Sequence, residues 1–313
     1  MLEQLGIQLI RLDLPFRLNH VNCFIAEGED GHLVIDTGLH NEKTIKRWND
    51  ELQQKSVTDI FVTHHHPDHF GYAGRLQQKL NARVTMSEIE YKMGTNMWQK
   101  KLLDKLTENY KHCAIPDDIS KQMYENTKDF IPLVTPYPTV HRYFQEYERV
   151  KIGNFEYEVL FTPGHSDGLI SFYNAEKKVL ISTDHILPRI TPNISYWFVG
   201  DDNPLKTYLA SLDKVKQLDI DYVIPSHGKP FYDGGKRIAK IIEHHDNRLN
   251  ETLAAVKQHS TIYNICQQLF QFELTIHETR FAIGETIAHL EYLRDKGILS
   301  RTKVNNVFHY DII

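Results

Sequence analysis

The stretch Thr63 to Gly71, which reads Thr-His-His-His-Pro-Asp-His-Phe-Gly, constrains this chain more than any other. Four histidines and one aspartate fall within six consecutive positions, from His64 to His69. Imidazoles and carboxylates packed this closely repel one another when charged, and they need partners when buried. A metal ion is such a partner, so the stretch predicts a metal-binding loop rather than a surface tract that takes up metal adventitiously.

The order of these side chains predicts which of them bind metal. If the chain leaves a strand at Val62 in extended form, successive side chains alternate between two sides of the backbone. His64, His66 and Asp68 then fall on one side, where they can share a cavity. His65 falls on the other side and is predicted to be a bystander.

His69 follows at the start of a helix predicted over 70–80, where the turn can swing its ring toward a different side of the same cavity. One short loop could thus supply two adjacent metal positions. His64 and His66 would serve the first position, and Asp68 would join His69 at the second.

Length and composition narrow the class of protein. A chain of 313 residues accommodates a main domain of about 200 to 250 residues and a smaller one. The net charge of −5 gives no overall reason to expect nucleic acid or an anionic membrane as a partner. Cys23, Cys113 and Cys266 lack CxxC spacing, which predicts neither a disulfide framework nor a zinc knuckle. Without a secretory leader pattern or an apolar run of about 18 residues, we expect a cytoplasmic protein.

The first third of the chain predicts a β-sheet with helices outside it. Asn41 is expected to cap a helix that continues through Gln54. A glycine-containing turn joins the second and third strands as a hairpin. Strands are predicted over 6–14, 21–26, 32–35 and 57–62.

Asp36 ends the third of these strands in the sequence Ile-Asp-Thr-Gly. One interpretation is a turn residue whose carboxylate bonds its own backbone. The other is a carboxylate that holds a histidine ligand from behind. The spacing alone leaves both interpretations open.

Between Ala82 and Glu146 the short strands give way to helical periodicity with many charges and aromatic residues. We interpret 87–140 as an inserted helical subdomain that directly follows the metal loop. It could be a scaffold, but the favoured interpretation is a lid that shapes the substrate pocket.

After the insertion, several predicted strands end in a histidine or an aspartate beside glycine or proline turns. A single residue of this kind is more often a turn or capping residue than a ligand. Three of them together with the metal loop are harder to explain that way. The strands and residues are 155–161 with His165, 178–182 with Asp184, and 222–224 with His227.

These residues together resemble the metallo-β-lactamase superfamily of hydrolases. The resemblance covers roughly residues 7–230, and it implies an α/β fold, an αββα sandwich with a dinuclear metal site at one edge of the two sheets. The motifs occur in the family's order as Asp36, His64-x-His66-x-Asp68-His69, His165, Asp184 and His227.

The resemblance also implies how the ligands are divided between two divalent metal ions. Zinc is the default, although mixed histidine and carboxylate ligation also suits iron or manganese. The first ion would be held by His64, His66 and His165, the second by Asp68, His69 and His227, with Asp184 bridging the two.

Two positions favour one branch of the superfamily. Asp184 stands where dinuclear β-lactamases have cysteine, and those enzymes usually lack a counterpart of His69. The glyoxalase II, lactonase and ribonuclease branch is the better match, so antibiotic hydrolysis is not expected. Persulfide dioxygenases of this fold use one iron and three ligands, and the complete second site argues against them.

Asp167 departs from the family pattern, because many relatives have proline or a small residue there.

The chemistry expected from such a site is hydrolysis. A hydroxide shared by two cations about 3.5 to 4 Å apart is a nucleophile that needs no side-chain base. Asp68 and Asp184 are the candidate catalytic carboxylates, with Asp68 able to protonate a leaving group. His185 is expected to pack behind Asp184 or line the pocket, and Trp197 to form pocket wall.

The chain is expected to divide into a catalytic domain over 1–232 and a tail over 233–313 with a helical linker and a small winged-helix-like domain. The charged cluster 243–246 in the linker is interpreted as a solvated helix face. From 246 to 313 there are seven Lys and Arg against eight Asp and Glu, so nucleic-acid binding is not expected. Packing, including contacts in a homodimer, is the expected role of the tail.

We therefore expect a metal-dependent hydrolase that cleaves an ester, thioester or lactone bond of a small molecule. The alternative is an endoribonuclease or phosphodiesterase of the same fold, which would need basic residues along its cleft. Less favoured are a nucleic-acid-binding regulator and an iron-dependent, oxygen-using enzyme.

Overall fold

Two six-stranded β-sheets form the centre of the chain in this computed structural model, which describes residues 1–313. The strands of each sheet lie side by side in the order in which they occur in the chain. The first sheet contains β1 (Ile7–Asp13), β2 (His20–Glu27), β3 (His32–Ile35), β4 (Val57–Phe61), β5 (Arg83–Met86) and β6 (Val140–Tyr143). The second contains β7 (Arg149–Ile152), β8 (Phe155–Phe161), β9 (Ile170–Asn174), β10 (Val179–Thr183), β11 (Tyr222–Pro225) and β12 (Phe231–Tyr232).

Most strands within the sheets pair antiparallel, but β3 to β6 pair parallel, as do β10 and β11. Parallel strands need crossover connections, and in this chain the connections carry helices. The C-terminal ends of β4, β10 and β11 can therefore deliver loop residues to one edge of the sandwich.

Helices flank the two sheets. Within the first half of the chain they are α1 (Leu2–Leu5), α2 (Glu42–Glu51), α3 (Pro67–Phe70), α4 (Ala73–Leu80), α5 (Glu88–Asn96), α6 (Lys100–His112), α7 (Asp117–Lys128) and α8 (Ile131–Val134). The second half contains α9 (Pro204–Lys216), α10 (Gly234–Val256), α11 (Ile262–Leu269) and α12 (Ile276–Asp295), followed by the hairpin β13 (Leu299–Val304) and β14 (Val307–Ile312).

The centre of the sandwich is apolar. Phe61 of β4 meets Phe144 edge-on and Phe172 of β9 in a stacked arrangement, with ring centroids 4.9 and 6.0 Å apart. These rings belong to a buried cluster drawn from the inner faces of both sheets. Separate clusters fill the spaces between sheets and helices. The layers confirm the αββα sandwich and the helical insertion expected from the sequence.

The single helix expected over 70–80 is two helices, α3 and α4. Pro67 begins α3 earlier than expected, because the fixed φ of proline suits the first helical position. Gly71 follows α3 at a point where added side-chain atoms would meet backbone, since a Cβ there would lie 2.5 Å from the carbonyl oxygen of Leu133. The break thus falls where the insertion packs against the metal loop.

The tail packs on the rest of the chain. One hydrophobic cluster runs from the first sheet through the insertion into α11 and α12. Backbone bonds add to it, with the amide of Tyr263 donating to the carbonyl of Cys113 at 3.0 Å. The order of two helices and a hairpin agrees with the elements expected for the tail. No helix in the chain combines the length and apolar character required to cross a bilayer.

The expectation of a solvated face at 243–246 is wrong for one residue. Glu243 and Asp246 are exposed, but His245 is 1% exposed, because α10 packs against α9 and α12. Its ring lies edge-on to Tyr208 and stacks on His289, with Nδ1 of His245 3.2 Å from Nε2 of His289. Burial lowers the pKa of His245 to about 2 and that of His289 to about 4.

We expect the free energy of unfolding to fall as the pH drops below about 6.5, where histidines of the unfolded chain take up protons that the folded pair resists. Each such imidazole contributes about 1.4 kcal/mol per pH unit. His245→Gln should make the decline from pH 7 to pH 5 shallower in urea titrations. Tyr208→Phe, which alters the neighbouring ring but removes no imidazole, should keep the original slope. Equal slopes in all three proteins would contradict the assignment.

Gly74 offers a test of the contact between α4 and the end of the insertion. A Cβ on Gly74 would lie 2.0 Å from the carbonyl oxygen of Pro136, so Gly74→Ala should lower the free energy of unfolding by about 2 kcal/mol or more. Gly235→Ala is the matched control, because nothing lies within 4 Å of a Cβ there. Equal stability of the two variants in chemical denaturation would refute the close approach.

Candidate metal centre

Seven histidine and aspartate side chains meet at one edge of the sandwich. The loop after β4 brings four of them, while the loops after β8, β10 and β11 bring one each. Their ligand atoms form three overlapping groups in which all atoms lie within 4.8 Å of one another. The groups are His64, His66 and His165, then His64, His69 and Asp184, and finally Asp68, His69 and His227.

The carboxylate of Asp184 occupies the middle of this arrangement. Its Oδ2 lies 3.3 Å from Nε2 of both His165 and His227. The same oxygen is 3.5 Å from Nε2 of His69 and 3.9 Å from Nε2 of His64. Asp68 completes one side, with its Oδ2 3.5 Å from Nε2 of His227 and 3.6 Å from Nε2 of His69. One carboxylate therefore joins imidazoles from both proposed ligand sets.

Buried polar atoms without hydrogen-bond partners show whether these residues suit a metal ion. Nε2 of His69, Nε2 of His165 and Oδ1 of Asp184 are buried without any hydrogen-bond partner. Leaving buried polar atoms unpaired costs free energy, and coordination to a cation would satisfy them. Imidazole and carboxylate donors in this mixture bind divalent transition metals. The donor set therefore fits divalent metal binding.

The charges in the cluster favour the same conclusion. Burial, followed by the neighbouring histidines, holds the pKa of His64 and His66 well below the usual value, so these imidazoles stay neutral. Burial opposes ionisation of Asp184, but His227 and His69 outweigh it and hold the pKa of this carboxyl well below its usual range. Neutral His64 and His66 and an ionised Asp184 are forms that bind cations. Burial opposes protonation of His69 and His227, but Asp68 and Asp184 outweigh it and raise the pKa of both imidazoles, so these two must lose a proton when a cation binds.

Hydrogen bonds at the far ring nitrogens orient the imidazoles. Nδ1 of His69 lies 2.8 Å from Oδ2 of Asp36, which also accepts from the hydroxyl of Thr63 at 2.9 Å. The other Asp36 oxygen accepts from the amide of Thr63 at 2.9 Å. Nδ1 of His165 and of His227 contact backbone carbonyls at 2.8 and 2.6 Å. Each Nε2 is thereby left to face the cluster, as in metal sites whose ligands are held from behind.

His65 belongs to none of the three groups. Its Nδ1 lies 2.5 Å from Oε2 of Glu90, and its amide donates to the same oxygen at 2.7 Å. The other Glu90 oxygen accepts from the amide of Gly168 at 2.6 Å. Glu90 therefore joins the metal loop to the loop that carries His165. Sequence reasoning did not find Glu90, because its partners are 25 and 78 residues away.

The remaining predicted residues lie in different places. His185 is fully buried with neither ring nitrogen paired, and its ring packs edge-on to Tyr208 with centroids 5.3 Å apart. It does not line the cavity beside the cluster, whereas Trp197 does. Asp167 accepts from the amide of Asp201 at 3.0 Å, and burial together with nearby Glu90 raises its pKa to about 6.

A cavity of about 760 Å³ opens onto Asp68, Asp184, His66, His165 and His227. The loop between β1 and β2, the helical insertion, the segment 187–197 and α12 all contribute to its walls. The contribution of α12 was not expected, since the tail was assigned a packing or dimerisation role. Residues of the tail that line the cavity include Thr275, His277, Glu278, Arg280 and Phe281.

Comparison with known proteins agrees with this architecture. Residues 17–227 match the metallo-beta-lactamase superfamily, and residues 249–312 match the metallo-beta-lactamase-like C-terminal domain. Because the first match spans most of the chain, this protein belongs to the metallo-beta-lactamase superfamily and is a metal-dependent hydrolase of that fold.

Three relatives show the extent of the similarity. A beta-lactamase domain protein from Burkholderia ambifaria has a crystal structure with TM-score 0.88, 32% identity, and coverage of 98% of this chain and 92% of that one. The probable metallo-hydrolase YqjP of Bacillus subtilis (strain 168) is 24% identical over 96% of both chains. The hydroxyacylglutathione hydrolase GloC of Haemophilus influenzae is 30% identical over 55% of this chain and 69% of its own.

Glu90 gives a test of how the loops are held. Glu90→Ala should lower the free energy of unfolding by about 3 kcal/mol, because a buried imidazole and two amides lose their acceptor. Glu88→Ala, on the exposed side of the same helix, should change stability by less than about 0.5 kcal/mol. Chemical denaturation measures both, and a Glu90 variant as stable as the Glu88 variant would refute the role.

Proposed function

We propose that this protein hydrolyses an ester, thioester or lactone bond of a small molecule at a pair of divalent metal ions, with zinc the expected element. The observation that carries the proposal is the position of Asp184, whose Oδ2 lies 3.3 to 3.9 Å from four imidazole nitrogens. A carboxylate so placed can belong to two metal positions at once. The branch features at Asp184 and His69 favour hydrolysis of substrates other than antibiotics.

The ligands of the proposed ions follow from the donor groups. Bound divalent cations supply a water ionised near neutral pH and an electrophile for the scissile carbonyl. Asp184 would be shared between the two positions. One position would use His64, His66 and His165, and the other Asp68, His69 and His227.

The chain itself positions the substrate and handles the proton. Asp68 is the most accessible carboxylate of the cluster, with 18% of its side chain exposed, and it lines the cavity. It can therefore pass a proton to the departing alcohol or thiol when the acyl bond breaks. Asp36 and Glu90 hold the metal loop in place from behind. The aromatic walls of the cavity exclude water from the rest of the substrate.

The dimensions of the cavity favour a small molecule over a polymer. Its volume of about 760 Å³ lies within the range of pockets that enclose most of a small ligand. Two arginines line it, and one of them, Arg17, pairs with Glu278 at 2.9 Å. A ribonuclease of this fold would need several free cations to follow a phosphate backbone. The nuclease is therefore the second candidate.

Asp184→Ala should remove at least one metal ion per chain, because both proposed metal positions lose the carboxylate oxygen that they would share. Elemental analysis by mass spectrometry of purified, metal-loaded protein measures this. His65→Ala should keep the wild-type content, since His65 bonds Glu90 instead. Two ions per chain in the Asp184 variant would refute the shared role, and a large loss in the His65 variant would mean that the loop is wrongly assigned.

The reaction class is tested with metal-loaded protein on lactones, thioesters, carboxylic esters, phosphodiesters and single-stranded RNA. We expect turnover of at least one acyl substrate, abolition by a chelator, and a loss of about 100-fold or more in Asp184→Ala. Turnover of RNA alone would establish the nuclease. Oxygen consumption by iron-loaded protein would instead indicate the oxygen-using enzyme.

A further inference from the structure

Arg280 is a cation without a counterion in the wall of the cavity. Its Nη1 donates to the hydroxyl of Thr127 in α7 at 3.2 Å, while Nε is buried without any partner. The guanidinium carbon lies over three rings, at 5.8 Å from the centroid of Phe130, 5.4 Å from Trp197 and 5.0 Å from Phe281. The rings fix the plane of the guanidinium and leave donors of its fork unused.

The acidic residue nearest in sequence does not neutralise this charge. Glu278 caps α12 by accepting from the amide of Thr275, and it pairs with Arg17 at 2.9 Å. Burial lowers the pKa of Arg280 from its usual value, with only the hydroxyl of Tyr110 opposing the shift. Arg280 is partly buried, and a partly buried cation without a carboxylate carries a desolvation cost that an incoming anion would offset.

We propose that Arg280 binds a carboxylate of the substrate, at the end remote from the bond that is cleaved. This inference rests on the proposed function. The guanidinium fork matches the two oxygens of a carboxylate, and such charge-assisted bonds are directional. Asp68 and Asp184 line the same cavity as Arg280, so one molecule can reach both ends. The substrate class is therefore a carboxylate-bearing ester or thioester.

The surroundings of Arg280 suit an apolar segment between the two ends of such a substrate. The ring of His277 packs against the rings of Phe16 and Phe130, with its centroid 4.6 Å from that of Phe16 and 5.3 Å from that of Phe130. Burial lowers the pKa of His277 to about 4, so this ring is neutral near pH 7 and contributes apolar surface. Arg280 is a single unpaired cation among aromatic side chains, so it suits a substrate that carries one negative charge at the end of an apolar chain.

The competing explanation is that Arg280 only attaches α12 to the insertion. Thr127→Val separates the two roles, because it removes the hydrogen bond at Nη1 but keeps the cation in the cavity. Arg280→Gln removes the cation and retains a polar side chain. Arg280→Lys keeps a cation without the planar fork. Thermal unfolding of each variant shows that the comparison is made on folded protein.

Two nearly isosteric esters measure the effect on hydrolysis by metal-loaded protein. Mono-4-nitrophenyl glutarate carries a terminal carboxylate where 4-nitrophenyl pentanoate carries a methyl group. We expect Arg280→Gln to lower kcat/KM for the glutarate ester about 10- to 100-fold, mainly through KM, and to change the pentanoate ester less than about 3-fold. Arg280→Lys should lose less, and Thr127→Val should change both esters alike. Equal losses on the two esters in Arg280→Gln would overturn the proposal.

Binding measured without turnover keeps this test separate from that of the proposed function. In isothermal titration calorimetry with metal-loaded protein, 4-phenylbutyrate should bind Arg280→Gln about 10-fold or more weakly than wild type, and 4-phenylbutanamide should bind both alike. Unchanged binding of the carboxylate would overturn the role of Arg280 even if esters are cleaved. Selective loss of the carboxylate with no ester turnover would support the subsite while rejecting ester hydrolysis.

Discussion

The convergence of four imidazoles on one carboxylate, that of Asp184, is the constraint on which the rest of the structure depends. Gathering these groups at a buried edge leaves polar atoms unpaired, which costs free energy that coordination to a divalent cation would offset. The sandwich makes the gathering geometrically available, since β4, β10 and β11 end at the same edge. The arrangement of the strands in the two sheets therefore brings the candidate metal-binding residues together.

Positioning of the ligands is a second level of organisation. Asp36 bonds His69, and Glu90 joins the loops that carry His64 and His165. Neither carboxylate belongs to a donor group, yet Asp36 determines which nitrogen of His69 faces the cluster, and Glu90 sets the spacing of the two loops. Backbone carbonyls orient His165 and His227 in the same way. Ligands on flexible loops become a defined centre through such contacts.

The tail has a more direct role than its charge count suggested. Because α12 packs against the insertion, it places Arg280 and neighbouring aromatic rings in the same cavity as the metal-binding side chains. If Arg280 selects the substrate as we propose, substrate selection and hydrolysis draw on different parts of the chain. The shared fold supplies the reaction, while the insertion and the tail shape what can enter, as is usual for folds that host many activities.

Much of the fold and of the candidate metal site could be predicted from the sequence, because strand ends, glycine turns and the histidine cluster are local patterns. The hairpin, the capped helix at Asn41, the insertion and the positions of the donor residues needed no knowledge of distant contacts. Glu90, Arg280 and the buried pair His245 and His289 could not be predicted in this way. Their environments come from residues far away in the chain. The local sequence around a charged residue in a helix does not show whether its side chain faces water or another helix. The sequence determined which groups can bind a metal, and only tertiary packing decided which charges are buried beside them.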